Sequence, residues 1–182
     1  MQRPKWNRRA VVLGGMGAFA ATALRAAAAP SFQFEAIDGG KLDTAQWRGK
    51  PVLVVNTASM CGFARQFDAL QTLQDRYADR GLVVLAVPSD DFKQELGSEA
   101  EVKEFCAINF DLTLAMTSIT RVLGPEAHPF YRWMAEQHGF TPSWNFNKVL
   151  LGPDGQPRDT WGAPVDPLSA RITTAIEVAL TT

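Results

Sequence analysis

The chain has 182 residues, 46% of them hydrophobic and 20% charged, with a formal net charge of −1. A near-neutral, mildly acidic balance argues against nucleic-acid binding, and the length fits one domain able to bury a core. Two cysteines and two histidines, with no short Cys-x-x-Cys or His-x-x-x-His spacing, make disulfide stapling a weak explanation and predict neither metal nor cofactor.

At the N-terminus, Arg3, Lys5, Arg8 and Arg9 precede an apolar run, Ala10 to Leu24, followed by Ala26 to Ala29. Basic, apolar, then small is the order of a secretory signal, and the run is too short and too rich in Gly and Ala to span a bilayer stably. Asn7-Arg8-Arg9-Ala10-Val11-Val12 looks like a twin-arginine signal, which predicts export to a bacterial periplasm. Residues 1–28 are read as the leader, because a cut after Ala28 puts Ala26 and Ala28 in the two small-residue positions and spares Pro30 the scissile bond. An ordinary amphipathic helix is the alternative, but the leader has no acidic residue to build a polar face. Removing its five positive charges takes the formal charge from −1 to −6. No stable membrane insertion is expected after cleavage.

Residues 29–182 read as a single domain. Phe32 to Leu42 reads as a short extended stretch. Val52 to Val55 and Leu82 to Val87 are short apolar runs rich in β-branched residues, as expected of strands covered on both faces. Between them Phe63, Phe67, Leu70, Leu73 and Tyr77 recur at helical spacing and Gly81 follows as a stop, giving a βαβ unit. Ser98 and Glu101 form a capping box before a helix with Val102, Phe105 and Cys106 on one face. A third helix is predicted over Pro129 to His138. Lys148 to Leu151 and Arg158 to Trp161 flank the turn signal Gly152-Pro153-Asp154-Gly155, an antiparallel hairpin. Asp166 as N-cap and Pro167 then open a last helix bearing Leu168, Ile172, Ile176 and Ala179. The sum is an α/β thioredoxin-like fold: a central mixed sheet ending in an antiparallel hairpin, with helices on both faces.

Cys61 stands just past a buried strand and at the predicted opening of a helix, where free backbone N–H groups favour an anion and hence the reactive thiolate. An inert buried cysteine is the alternative. The segment Asn56-Thr57-Ala58-Ser59-Met60-Cys61-Gly62-Phe63 resembles the nucleophile motif of the glutathione peroxidase family. Pro88 to Ser98 resembles the family's second motif, with its glutamine on Gln94, and Trp144-Asn145-Phe146 its third. The likeness runs from about Phe32 to the final helix. It implies that Cys61 is the peroxide-attacking residue, with Gln94, the Trp144 indole N–H and the Asn145 amide around its sulfur. Each is an uncharged hydrogen-bond donor, suited to stabilising a thiolate and then the oxygen that leaves the peroxide. Cys106 resembles the resolving cysteine of thioredoxin-dependent members, which closes a disulfide onto the oxidised Cys61. On the helix face shared with Val102 and Phe105 it should be part-buried, so that bridging requires local unwinding; a passive core cysteine is the alternative.

The chain departs from the family pattern in having Ser89, Asp90 and Asp91 before Phe92, Lys93 alone where two glycines precede the glutamine, and Leu96 for a proline. Ala64 and Ala115 also replace common family residues. The short link from Met134 to Trp144 lacks room for the loop that animal members use in tetramers, which implies a monomer or weak dimer. No cluster of basic residues for glutathione's carboxylates stands out, which favours a thioredoxin-like reductant over glutathione. The function expected is reduction of hydrogen peroxide or organic hydroperoxides. A peroxide-responsive redox sensor or thiol-disulfide relay, and a non-catalytic thioredoxin-like binding domain, are the alternatives.

Overall fold

The computed structural model describes residues 1–2 and 29–182; the leader expected over residues 1–28 therefore lies, but for Met1 and Gln2, outside the described residues. In chain order the regular elements are β1 (Gln33–Glu35), β2 (Lys41–Asp43), β3 (Val52–Thr57), α1 (Gln66–Tyr77), β4 (Val83–Pro88) and α2 (Glu99–Phe110). There follow β5 (Ala115–Met116), α3 (Pro129–His138), β6 (Lys148–Leu151), β7 (Pro157–Trp161) and α4 (Ala170–Ala179).

The two apolar runs are β3 and β4, paired in parallel from Val52↔Val83 to Thr57↔Pro88. β6 lies antiparallel on the other side of β3, and β7 antiparallel on β6, so the sheet order is β5-β4-β3-β6-β7. Every residue of β3 is buried, as a central strand with both faces covered requires. Its side chains alternate between two cores. Leu53 and Val55 join Phe67, Leu70 and Leu73 of α1, Val102 and Cys106 of α2, and Ile172 and Ile176 of α4. Val52 and Val54 point the other way, to Phe130, Tyr131 and Met134 of α3 and to Phe32 and Phe34 near the start of the domain. This is the predicted mixed sheet with helices on both faces, and the hairpin ends it as expected.

Three local readings are corrected. The extended stretch after Phe32 is a two-stranded antiparallel hairpin of its own, β1 with β2, turned by Gly39 and Gly40 at positive φ. Helix α1 begins at Gln66 rather than Phe63, because Cys61 to Phe67 is first wound into tight turns: Ala64 N–H donates to Cys61 O at 2.9 Å, Gln66 N–H to Phe63 O at 2.8 Å. The last helix begins at Ala170, after Ser169 at the N-cap in extended conformation. Asp166 caps a turn instead, its Oδ1 accepting from Leu168 N–H at 2.7 Å, and Leu168 is 38% exposed rather than in the core. Asp-Pro is as strong a turn opener as a helix opener, and here the turn wins. The two-residue strand β5 is too short to leave a periodic signal and was not predicted.

α2 starts where the capping box places it. Ser98 Oγ accepts from Glu101 N–H at 3.3 Å and donates to the Glu101 carboxylate at 2.9 Å. It ends at Asp111, a left-handed C-cap with φ 47°.

Candidate active site

Cys61 lies in the loop that leaves the C-terminal end of β3, the end at which open α/β sheets gather ligand chemistry. It is 6% exposed. With α1 starting five residues later, the first turn of the helix is not what faces the sulfur. The tight turn does this instead, Phe63 N–H approaching Sγ at 3.5 Å. The expectation that Cys61 opens the helix is corrected accordingly: local turn amides take the place of helix-end amides.

Two further segments converge on this loop and the end of β3 and are fastened there by hydrogen bonds. From one side, Met60 N–H donates to Gln94 O at 2.9 Å and Ser59 N–H to Glu95 Oε1 at 3.0 Å. From the other, Asn56 Nδ2 donates to Trp144 O at 3.0 Å, while Asn56 Oδ1 accepts from Asn147 N–H at 3.1 Å. Asn56 is thus the rivet between the first and third motif segments. The role was open to sequence reading, because an amide side chain continuing an unbroken apolar strand must find buried partners. The second and third segments also meet directly. Asn145 Nδ2 donates to Gln94 Oε1 at 3.2 Å, and the Trp144 ring lies 5.3 Å from that of Phe92.

Gln94, Asn145 and Cys61 are therefore gathered at one end of the sheet. Asn145 is fully buried and its Oδ1 has no hydrogen-bond partner among the described residues. Trp144 is 40% exposed, its ring against that of Phe92. Phe146 has φ 61°, in the left-handed region, where a phenylalanine costs roughly 1–2 kcal/mol. Its ring, fully buried and edge-on to Phe67 at 5.3 Å, offsets that cost and locks the orientation of Asn145 beside it.

The departures in the second segment have structural roles. Lys93, standing where the family pattern has glycines, keeps a left-handed backbone, φ 58°. Asp91 Oδ2 accepts from Val122 and Leu123 N–H at 2.6 and 2.8 Å, and Asp90 Oδ1 from Glu95 N–H at 3.2 Å. The acidic pair thus holds the segment from both ends, and Gln94 reaches Asn145 although the segment is shorter.

Cys106 is 2% exposed on the inner face of α2 and belongs to the same core cluster as Cys61; both thiols are free. Burial, reinforced by the negative charge of Glu95, pushes the Cys106 thiol up to about 12. Cys106 is thus unreactive as long as α2 stays wound.

Asn145→Ala should slow the oxidation of Cys61 by peroxide by roughly 10- to 100-fold, since it removes the amide that holds Gln94 and frees Gln94 to turn. Combined with Gln94→Ala the losses should be far from additive, because the two amides act through one hydrogen bond. Strict additivity of the two rate losses would show that they act separately.

Residues 30–135 match the family model for glutathione peroxidase. A glutathione peroxidase of Lactococcus lactis subsp. cremoris is 36% identical over 143 residues, which cover 75% of this chain and 91% of the relative. The hydroperoxy fatty acid reductase gpx1 of Synechocystis is 35% identical over 147 residues, covering 75% of this chain and 87% of the relative. Among solved structures, the apo form of Trgpx superposes with a TM-score of 0.65 at 29% identity, over 83% of this chain and 94% of that one. A thioredoxin-family thiol:disulfide interchange protein of Chlorobium tepidum superposes with a TM-score of 0.64 at 17% identity, over 84% and 94% of the two chains, which shows a shared thioredoxin-like fold. With a family model covering more than half of the sequence, and relatives above 30% identity along most of their length, the chain belongs to the glutathione peroxidase family.

Proposed function

We propose that the protein is a thiol peroxidase in which the Cys61 thiolate attacks a peroxide oxygen. Water or an alcohol leaves, Cys61 becomes a sulfenic acid, and Cys106 closes a disulfide that an external dithiol reduces. The observation that carries this reading is the convergence of Gln94 and Asn145 on the loop of Cys61, held there by bonds that run through all three motif segments. A thioredoxin-like protein is favoured as reductant over glutathione, because no cluster of basic residues for glutathione's carboxylates stands out and the rim at the part-exposed Trp144 is apolar, its ring against Phe92. The same rim suits a hydroperoxide with a hydrocarbon chain, in keeping with the name of the Synechocystis relative. The basic, apolar, small order of residues 1–28 supports export to the periplasm, with a mature chain of one domain beginning at Ala29. The lack of a tetramer loop between Met134 and Trp144 supports a monomer or weak dimer.

Intact-mass spectrometry of the protein recovered from the periplasm tests these points together. The mature chain should begin at Ala29. One equivalent of hydrogen peroxide should take the wild type to the disulfide, two hydrogens lighter, whereas Cys106→Ser should stop at the sulfenic acid, one oxygen heavier, and be trapped by dimedone. Wild-type protein that stays unoxidised under these conditions would overturn the reading in favour of a non-catalytic binding domain. The burial of Cys106 also suits a peroxide-responsive relay, in which the opening of α2 is read by a partner. Sustained multiple turnover with a thioredoxin system distinguishes the peroxidase from that relay.

A further inference from the structure

Between the Cys61 loop and α2 runs a short strap, residues 94–98, with one carboxyl in its middle. Glu95 Oε1 accepts from Ser59 N–H at 3.0 Å and from Leu96 N–H at 2.9 Å. Its other oxygen, Oε2, is buried with no hydrogen-bond partner among the described residues. Because Gln94 O accepts from Met60 N–H, the two loop amides just before Cys61 both hang on this strap. At the far end of the strap Ser98 caps α2, the helix that carries Cys106. One carboxyl therefore touches the loop of the first cysteine, and the strap that carries it ends at the cap of the helix bearing the second.

An anion with one oxygen desolvated and unpaired is poorly held as a permanent charge. It is well placed as a group that takes up a proton. Burial raises the proton affinity of Glu95, the donors from Ser59 and Leu96 oppose this, and the negative Asp90 adds to the rise. Asp90 on its own loop and Cys106 on α2 are the titratable groups whose charges couple to it. Cys106 in turn is overwhelmingly a neutral thiol at neutral pH, and needs a base before it can attack.

We propose that Glu95 is the proton acceptor for Cys106 in the step that closes the Cys61–Cys106 disulfide, an inference that rests on the two-cysteine reading above. As α2 loosens, the Cys106 S–H proton passes to Glu95 Oε2 while the Cys106 sulfur forms a bond to Cys61 Sγ. The Sγ–O bond of the sulfenic acid breaks, and its hydroxide takes a proton from Glu95 or solvent and leaves as water. The sulfenic sulfur is the oxidant and Cys106 the reductant, so no further redox partner is required. Neutralising Glu95 also weakens its hold on Ser59 N–H, which frees the Cys61 loop as the disulfide forms.

Stopped-flow Trp fluorescence of the reduced full protein with hydrogen peroxide separates the two steps. Glu95→Gln keeps an acceptor for Ser59 but cannot take the proton. It should leave the peroxide-dependent phase within about twofold of wild type and slow the peroxide-independent phase by on the order of 10²-fold at pH 7. The slowed phase should then quicken about tenfold per pH unit, while the wild-type phase levels off once Glu95 is ionised. Glu95→Asp should recover part of the loss. An unchanged second phase, or equal slowing of both phases, overturns the proposal and leaves Glu95 as a structural strap. If Glu95→Gln does not fold, the wild-type profile decides: a second phase that keeps rising with hydroxide through pH 9 overturns it. A second phase that persists in Cys106→Ser would instead overturn the two-cysteine reading itself, whatever Glu95 does.

Discussion

Cys61→Ser should abolish peroxide turnover, a loss on the order of 10³-fold or more, while changing stability by less than about 1 kcal/mol. The loss is large because a serine hydroxyl, unlike a thiol, yields almost no anion at neutral pH and is a far weaker nucleophile. The Phe63 N–H that approaches this side chain can stabilise an anion but cannot create one. The small effect on stability follows from near-equal volume, and from a turn held by the main chain through Ala64 N–H to the carbonyl of residue 61. NADPH oxidation coupled through a thioredoxin system reads turnover, and thermal unfolding reads the fold. Turnover retained in Cys61→Ser would place the chemistry elsewhere. A collapse of the unfolding temperature would show that Cys61 acts as packing in the core cluster it shares with Phe67 and Phe146. Loss of turnover with the fold intact separates a nucleophile from a core residue, the two fates that remain open for a buried cysteine.

The sheet was legible because its signals are local and strong. β3 and β4 are unbroken apolar runs, and the Gly-Pro-Asp-Gly turn fixes the β6–β7 hairpin. The starts of α1 and α4 were misread for a shared reason. Apolar spacing extends a helix in the sequence as far as the next hydrophobic residue, whereas Phe63 and Leu168 sit in turns closed by backbone hydrogen bonds that leave no periodic trace. The motifs name the candidate residues, and of these the structure brings Gln94 and Asn145 together despite the altered residues around Lys93. What the sequence did not announce are the supports. Asn56, Glu95 and Asp91 act through partners 31 to 91 positions away, distances over which no spacing rule operates.

Lys148 is the most consequential of these unannounced residues. It sits in the middle of the sheet, across from Val55 and Trp161, and is completely buried. Its Nζ donates to Gln66 Oε1 at 2.6 Å, to Val165 O at 2.8 Å and to Ala163 O at 3.3 Å. It thereby ties the first residue of α1, next to the Cys61 loop, to the segment that leads into α4. Lys148→Met nearly preserves volume but strands these acceptors, and should cost about 2–4 kcal/mol in urea unfolding at pH 7. Burial pushes the ammonium down to about 8 from 10.5, only partly opposed by the charge of Asp166. Between those two values the unfolded chain binds the proton and the folded chain releases it, so stability from this group rises with pH. It is complete above the unfolded value and is lost as pH falls through about 8. The advantage of wild type over Lys148→Met should therefore widen by on the order of 2 kcal/mol between about pH 7.5 and 9.5. A difference that stays constant over that range would mean that the three oxygens compensate the charge fully, and that Lys148 is a permanent cation beneath the site rather than a group whose burial is tolerated for the sake of its three bonds.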